Sequence, residues 1–327
     1  MHYMEKFFKA QQRGSSVGQE LRAGLTTFLA MAYIIAVNPS LLTQAGIPAT
    51  AAVTATCVGA GIMTICMGLF SNRPLACASG MGVNAVFAFS LTAIAGGDWH
   101  AASAVIFVEG VAILILVLCG LREAIMDAIP VSLRHAISVG LGLFIAMIGL
   151  KDGGIIVADE STMVALGDVF SPTFLVGLIS IIATIVLYAM NVKGSLLLGI
   201  IVAVVAGIPL GVTQLPAGIV SGLDFSSFGA PFLADESGVM GIAKVVTNPT
   251  LLVFAFSLMM SDFFDTMGTA MAVAKQGEFL EPDGRVQNIR EILIVDSAAA
   301  AVGGLTGASS ITTFVESASG AADGGRT

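Results

Sequence analysis

Residues 307–327, GASSITTFVESASGAADGGRT, decide the fold. The segment is long enough to cross a bilayer, but Gly, Ser and Thr make it too polar for a plain lipid-facing helix. The run from Ser310 to Val315 is β-branched and aromatic, which favours an extended strand, and the small residues from Ser317 onward can begin a half-helix. We therefore predict a broken membrane span, with Glu316 at the junction between its extended and helical parts.

A second segment has the same design. Residues 74–95, PLACASGMGVNAVFAFSLTAIA, begin with an extended PLACAS and continue after Gly80 and Gly82 into a helix that carries Asn84. The Asn84 amide can donate and accept hydrogen bonds, although a helix cap is the alternative role. Paired broken spans at matching positions indicate a transporter binding site, and two ordinary glycine-rich helices are the other interpretation.

The remaining chain is a series of apolar spans. Of its 327 residues, 56% are hydrophobic and 11% charged, with a mean hydropathy of +0.94. One soluble core cannot bury that much apolar surface, so we predict an all-α polytopic membrane protein with the lipid bilayer as its partner. Beside the two broken spans, numbered three and ten, we predict eight spans of about 20 residues each, at 23–43, 51–70, 101–120, 133–150, 172–191, 195–213, 250–274 and 289–306.

The charges predict an orientation. With residues 1–22 as a cytoplasmic leader, all but two of the 14 Lys and Arg lie on the cytoplasmic side. The exceptions, Lys151 and Lys244, lie in acidic loops. This asymmetry follows the positive-inside rule and predicts a multi-pass protein of the cytoplasmic membrane with its N-terminus inside.

The order of the spans predicts a seven-plus-seven inverted repeat. Residues 23–213 hold spans one to seven, 214–249 form an extracytoplasmic loop, and 250–327 begin a second, incomplete repeat with spans eight to ten. Broken spans three and ten are each the third span of their half, which is the arrangement expected around a transporter site.

Carboxylates inside the membrane are candidate functional groups because burying them is costly. In SDFFDTMGT, residues 261–269, Asp265 and Thr269 share a helix face and Asp262 is only partly rotated from it. Interhelical hydrogen bonds are the alternative role for this polar face. For Glu109 and Asp296, a proton path and a structural hydrogen bond both remain open.

Several classes of function are excluded or disfavoured. The net charge is −8 and no basic patch is present, which excludes nucleic acid as a partner. No HExxH or GxSxG motif indicates an enzyme, and we expect neither a cofactor nor a metal. The cysteines have spacings that match neither a zinc site nor a disulfide framework; they are Cys57, Cys66, Cys77 and Cys119.

Three stretches together resemble a known family. They are GLTTFLAMAYIIAVNP at 24–39, SDFFDTMGT at 261–269 and TGASSITTFVESASGAADGGRT at 306–327. They are similar to the adenine/guanine/hypoxanthine permease branch of the nucleobase-ascorbate transporter superfamily, over essentially the whole chain. The resemblance implies fourteen spans, with spans one to four in a core domain and five to seven in a gate domain. It also implies a C-terminal truncation, because about four further spans follow this point in the family.

The resemblance further implies proton-coupled uptake of adenine, guanine or hypoxanthine by alternating access. Asp265 and Glu316 would hold the base and carry the coupling proton, Asn84 would help to select it, and the backbone at Phe314 and Val315 would line the pocket. Thr269, on the same face as Asp265, is also a candidate binding residue.

Other functions stay open at this stage. They are a transporter of the same architecture for uracil, xanthine, ascorbate or an anion, and a passive channel. Two acidic groups in the pocket count against an anion. A homodimer is one of the oligomeric states open to the chain.

Overall fold

The computed structural model describes residues 7–120, 131–159, 162–192, 194–213, 222–234, 238–282 and 284–327. The protein is mostly helical. The first half of the chain contains α1 (Val17–Met31), α2 (Ile34–Gln44), α3 (Ala49–Ser71), β1 (Cys77–Ser79), α4 (Met81–Ile94), α5 (Trp99–Leu118) and α6 (Val131–Asp152). The remaining elements are β2 (Ile156–Asp159), β3 (Met163–Leu166), α7 (Pro172–Ala189), α8 (Ser195–Gly207), α9 (Gly241–Thr247), α10 (Pro249–Gln276), α11 (Ile289–Thr306), β4 (Ile311–Thr313) and α12 (Ser317–Ala322).

Several helices are built to cross a membrane. Over the residues described, five stretches are long and apolar enough: Val17–Gln44, which joins α1 and α2, and the helices α3, α5, α7 and α10. Each coincides with a predicted span. The helices α6 and α11 cover the predicted spans 133–150 and 289–306, whereas α8 covers only the first 13 residues of the predicted span 195–213. The prediction of a helical, multi-pass membrane protein is confirmed, whereas the fourteen-span repeat remains a prediction.

The chain divides into two compact units. The larger unit comprises Met1–Thr27, Ile34–Ser138 and Gly222–Thr327, and the smaller unit comprises Phe28–Tyr33 and Val139–Ser221. In the larger unit, α11 packs against α3, α5 and α10, and both broken segments belong to this unit. The domain boundaries predicted from the span order remain a prediction.

Glycines allow α5 and α11 to pack closely. A Cβ atom at Gly110 would overlap the backbone of Ala301, and one at Gly304 would overlap the backbone of Phe107. Small residues permit such contacts where no hydrophobic effect drives helix association. The central pair of helices in the larger unit is therefore held at a distance that only these glycines allow.

The outer faces of the helices are apolar. Ile65 and Phe70 on α3, Ile115 on α5 and Val253 and Phe256 on α10 all have more than half of their surface exposed. Large side chains of this kind would be unfavourable in water but suit the hydrocarbon of a bilayer. The exposed apolar surface therefore fits lipid around these helices.

The smaller unit contains a hairpin that the sequence analysis did not predict. The strands β2 and β3 are antiparallel, with Ile156 opposite Leu166 and Asp159 opposite Met163. The sequence predicted a loop in this region. Two helices of this unit, α7 and α8, pack together where Gly199 contacts Thr184. The strands are only four residues long, so their alternation was too brief to be recognised.

Candidate functional site

The two broken segments meet in a short antiparallel sheet. Cys77 in β1 pairs with Thr313 in β4, and Ser79 pairs with Ile311. All six strand residues are buried. Two further backbone hydrogen bonds extend the pairing, from the Phe314 N–H to the Ala76 carbonyl at 2.9 Å and from the Gly80 N–H to the Ser310 carbonyl at 2.8 Å. Both strands lie in the stretches that were predicted to be extended.

A helix begins directly after each strand. The N-cap of α4 is Gly80, and the N-cap of α12 is Glu316. Because the strands are antiparallel, these two helix N-termini lie at opposite ends of the strand pair, separated by roughly 10 Å for three residues. Gly80 is required for the close approach, since a Cβ atom there would lie 2.9 Å from Thr312 Cγ2. Backbone N–H groups at such termini favour negatively charged or electron-rich groups.

Asp296 on α11 holds strand β4 in place. Its Oδ1 accepts hydrogen bonds from the Thr313 N–H at 2.8 Å and the Thr312 hydroxyl at 3.1 Å, and its Oδ2 accepts one from the Thr266 hydroxyl at 2.6 Å. All four residues are buried. The sequence analysis left the role of Asp296 open; in the structure this carboxylate joins β4, α10 and α11. Thr266 and Thr312 are site residues that it missed, since nothing in their spacing indicates a shared carboxylate.

The polar face of α10 has a buried part and an exposed edge. Asp262, Thr266 and Thr269 are buried, and Asp265 is exposed. At 3.6 residues per turn, all four side chains fall within a sector of about 100°. The predicted shared face of Asp265 and Thr269 is therefore present, with Asp265 at its outer edge.

Asp265 and Glu316 lie near each other. The helices α10 and α12 pack together, and the Asp265 carboxylate interacts electrostatically with Glu316 and Asp296. Glu316 is half-buried, and its side chain does not cap α12. The half-helix begins at Ser317, as predicted. The two candidate carboxylates thus belong to two helices that pack together, and Glu316 lies at the start of α12.

Asn84 is fully buried in the first turn of α4. Its side-chain nitrogen donates to the Ser79 carbonyl at 3.3 Å, whereas its Oδ1 has no hydrogen-bond partner among the described residues. Asn84 is not the helix cap, because Gly80 takes that position. Its amide oxygen is therefore an acceptor still to be satisfied, as expected of a group that binds a ligand.

Phe314 and Val315 differ in what they can offer a ligand. The Phe314 side chain is buried and its N–H is already used in the strand pairing. The Val315 side chain is 52% exposed, next to Glu316. The Phe314 N–H already has an intramolecular acceptor, and the lining of one pocket by the backbone of both residues remains a prediction.

Hydrogen bonds also hold the start of the first broken segment and the end of the second. Arg73, just before β1, donates to the Gln287 side chain at 2.6 Å and to the Asn288 side chain at 2.8 Å. Burial, with a smaller contribution from the charge of Arg13, lowers the pKa of Arg73 to about 10. After α12, Asp323 accepts a hydrogen bond from Thr26 on α1 at 2.5 Å. These contacts restrain the segments that carry Asn84 and Glu316.

Comparison with known proteins agrees with this architecture. The model of one family, described as the Permease family, matches residues 18–325. The chain belongs to the Permease family. Among its relatives is the putative permease MJ0326 of Methanocaldococcus jannaschii, which is 41% identical over 100% of this chain and 73% of its own length.

Two further relatives have names that state a substrate. The guanine/hypoxanthine permease PbuO of Bacillus subtilis is 36% identical over 98% of this chain and 73% of its own length. The adenine permease AdeQ of Escherichia coli is 36% identical over 99% of this chain and 71% of its own length. The resemblance predicted from the three motifs is confirmed, and so is the prediction that this protein is a permease rather than an enzyme.

A solved structure has the same fold. The transmembrane domain of the cyanobacterium bicarbonate transporter BicA superposes with a TM-score of 0.66 over 95% of this chain and 78% of that domain, at 16% sequence identity. At this level of identity the likeness concerns the fold alone. The architecture of this permease is therefore that of a helical transporter.

Proposed function

We propose that this permease takes up purine nucleobases together with protons across the cytoplasmic membrane, by alternating access and with its N-terminus in the cytoplasm. The observation that carries the proposal is the packing of α10, which carries Asp265, against α12, whose N-cap is Glu316. The unsatisfied amide oxygen of Asn84 supports it. Relatives named as adenine and guanine/hypoxanthine permeases supply the substrate class.

The chemistry of a purine suits this arrangement. Purine N–H groups can donate to the Asp265 and Glu316 carboxylates, and the Asn84 Oδ1 can accept from a further N–H or amino group. Hydrogen bonds to ionised groups are stronger than those between neutral groups, particularly where water is excluded. The exposed Val315 and the half-buried Glu316 would face the base at the start of α12.

A proton on either acidic residue would remove one of the two negative charges of the proposed pocket. Loading Asp265 or Glu316 with a proton removes a negative charge that would otherwise have to move through the membrane with the base. Asp265 is our candidate for the carrier, because its carboxylate lies at the exposed edge of α10 and near the charge of Glu316. The proton gradient across the membrane would then drive uptake of the base.

Binding of labelled adenine, guanine and hypoxanthine to the purified protein tests the substrate assignment. We expect saturable binding of at least one of them, with competition by unlabelled purines but not by uracil or sulfate. Glu316→Gln should weaken binding about 10- to 100-fold, the loss expected when a hydrogen bond to a charged group is removed. Competition by uracil or sulfate equal to that by purines would contradict the proposal.

The matched control is Glu281→Gln, which removes an exposed carboxylate from the loop after α10. It changes the net charge by the same amount and should leave purine affinity unchanged. Uptake into cells, with and without a protonophore, separates a proton-driven transporter from a passive channel. Uptake that ignores the protonophore would contradict proton coupling while leaving the substrate assignment intact.

A further inference from the structure

One carboxyl group in the larger unit has no part in the proposed binding site. Glu109 lies in the middle of α5, with 1% of its surface exposed. Neither of its side-chain oxygens has a hydrogen-bond partner among the described residues. An ionised carboxylate is strongly disfavoured in such a place unless something compensates its charge.

The elements around α5 supply negative charge. Its neighbours α10 and α11 contribute Asp262 and Asp296, and both interact electrostatically with Glu109. The neighbouring helix α9 contributes Lys244, but this ammonium pairs with Asp98 at the start of α5, at 2.8 Å. The segment Ala230–Phe232, which also packs on α5, has no titratable side chain. Among the described residues, the charges that interact with Glu109 are therefore both negative.

The hydrogen bonds indicate which carboxyl group is ionised. Asp296 accepts from the Thr313 N–H and from the hydroxyl groups of Thr312 and Thr266, and a carboxylate in its ionised form is an acceptor only. Among the described residues, no donor forms a hydrogen bond with Glu109, and the carboxylates of Asp262 and Asp296 interact with it electrostatically. The surroundings therefore suit a charged Asp296 and a neutral, proton-bearing Glu109.

We propose that Glu109 is a second proton-binding residue of this permease, buried apart from the substrate and linked to it through Asp296. The inference rests on the proposed function of proton-coupled purine uptake. A proton from water binds one carboxylate oxygen of Glu109 and leaves it neutral, and the same proton returns to water after the moving step.

The link to the substrate site runs through β4. When Glu109 loses its proton, a second negative charge appears near Asp296 and favours protonation of that residue. A protonated Asp296 has less acceptor capacity for its three donors, so its hold on Thr312 and Thr313 weakens. Strand β4 leads directly to Glu316. The proton on Glu109 therefore stabilises the arrangement that binds the base.

The test separates exchange from accumulation in proteoliposomes that contain the full protein. Glu109→Gln is permanently neutral, so we expect purine exchange between the two sides to persist while accumulation driven by a pH gradient falls well below the wild-type level. Purine affinity of this variant should also lose most of its dependence on pH. The control, Glu281→Gln on an exposed loop, should retain both activities.

Gradient-driven accumulation by Glu109→Gln at the wild-type level would overturn the inference. A purely structural role would instead impair exchange and accumulation together, which also counts against it. If Glu109→Gln does not fold, Glu109→Asp keeps a titratable group: accumulation should persist with a shifted pH profile, and an unshifted profile overturns the inference. Failure of the wild-type protein to bind any purine would contradict the proposed function itself.

Discussion

At the scale of single residues, buried and exposed carboxylates of the larger unit have different roles, although the sequence does not distinguish them. Asp296 receives three donors and holds a strand, whereas Glu109 has none among the described residues. Asp265 lies at an exposed edge and Glu316 at the start of a half-helix. The difference comes from the neighbouring donors rather than from the type of side chain.

The anchoring role of Asp296 predicts a loss of stability in Asp296→Asn. The amide has nearly the same shape but no charge, and its NH₂ group replaces one acceptor oxygen, so the bond from the Thr313 N–H or the bond donated by the Thr266 hydroxyl is lost. A hydrogen bond to a charged group contributes about 1.5–3 kcal/mol. Thermal unfolding in detergent should show the loss, and Asp152→Asn at an exposed helix end is the control. Equal stability of the two variants would show that Asp296 is not an anchor.

At the scale of elements, the contact between α5 and α11 positions both Glu109 and Asp296. It depends on Gly110 and Gly304, each of which faces the backbone of the other helix. A methyl group at either position has no space unless the helices separate. The geometry of the buried acidic residues is therefore set by two glycines that carry no chemistry of their own.

Gly304→Ala should destabilise the protein, because its methyl group would overlap the backbone of Phe107. Overpacking of this kind costs about 1–3 kcal/mol. Gly268→Ala on α10 is a matched control, since a Cβ atom there meets nothing within 4 Å. That change should be neutral or stabilising by about 0.5–1 kcal/mol, as usual for Gly to Ala within a helix. Denaturation midpoints that move together in the two variants would contradict the close contact.

The elements also show what could be predicted from the sequence. Helix α11 occupies the predicted residues 289–306, since an apolar run ends at Gly307, which has a φ of 78°. Both extended segments were predicted from Gly, Ser and β-branched residues. Their mutual pairing was not, because β1 and β4 are far apart in sequence and period-two patterning is invisible over three residues. The partners of Asp296 and the isolation of Glu109 depend on tertiary contacts, which no local pattern encodes.

At the scale of the whole molecule, a carboxylate at the start of α5 pairs with one of the two cations predicted to lie on the outer side of the membrane. Asp98 caps α5 and accepts hydrogen bonds from the His100 N–H and from Lys244. Burial by itself raises the pKa of Asp98, but the hydrogen bonds from Lys244 and His100 outweigh it and hold that pKa below its ordinary value. The hydrogen bonds of the Asp98 carboxylate stabilise the folded protein fully above the unfolded-state pKa of Asp98. This stabilisation is lost as the pH falls through its folded-state pKa. Lys244 thus has a local partner on the side predicted to be outside.

The predicted orientation can be tested with single cysteines in a chain whose native cysteines are replaced by alanine. Met163, in the β2–β3 hairpin, is 84% exposed and belongs to the predicted outer side, whereas Glu281 is exposed in a loop predicted to be inside. On intact cells, an impermeant maleimide should label Met163→Cys but not Glu281→Cys, which should react only after permeabilisation. The reverse pattern would overturn the orientation. The physical reason for the expected result is that Lys and Arg near the membrane favour the cytoplasmic side, and Glu281 lies between Lys275 and Arg285.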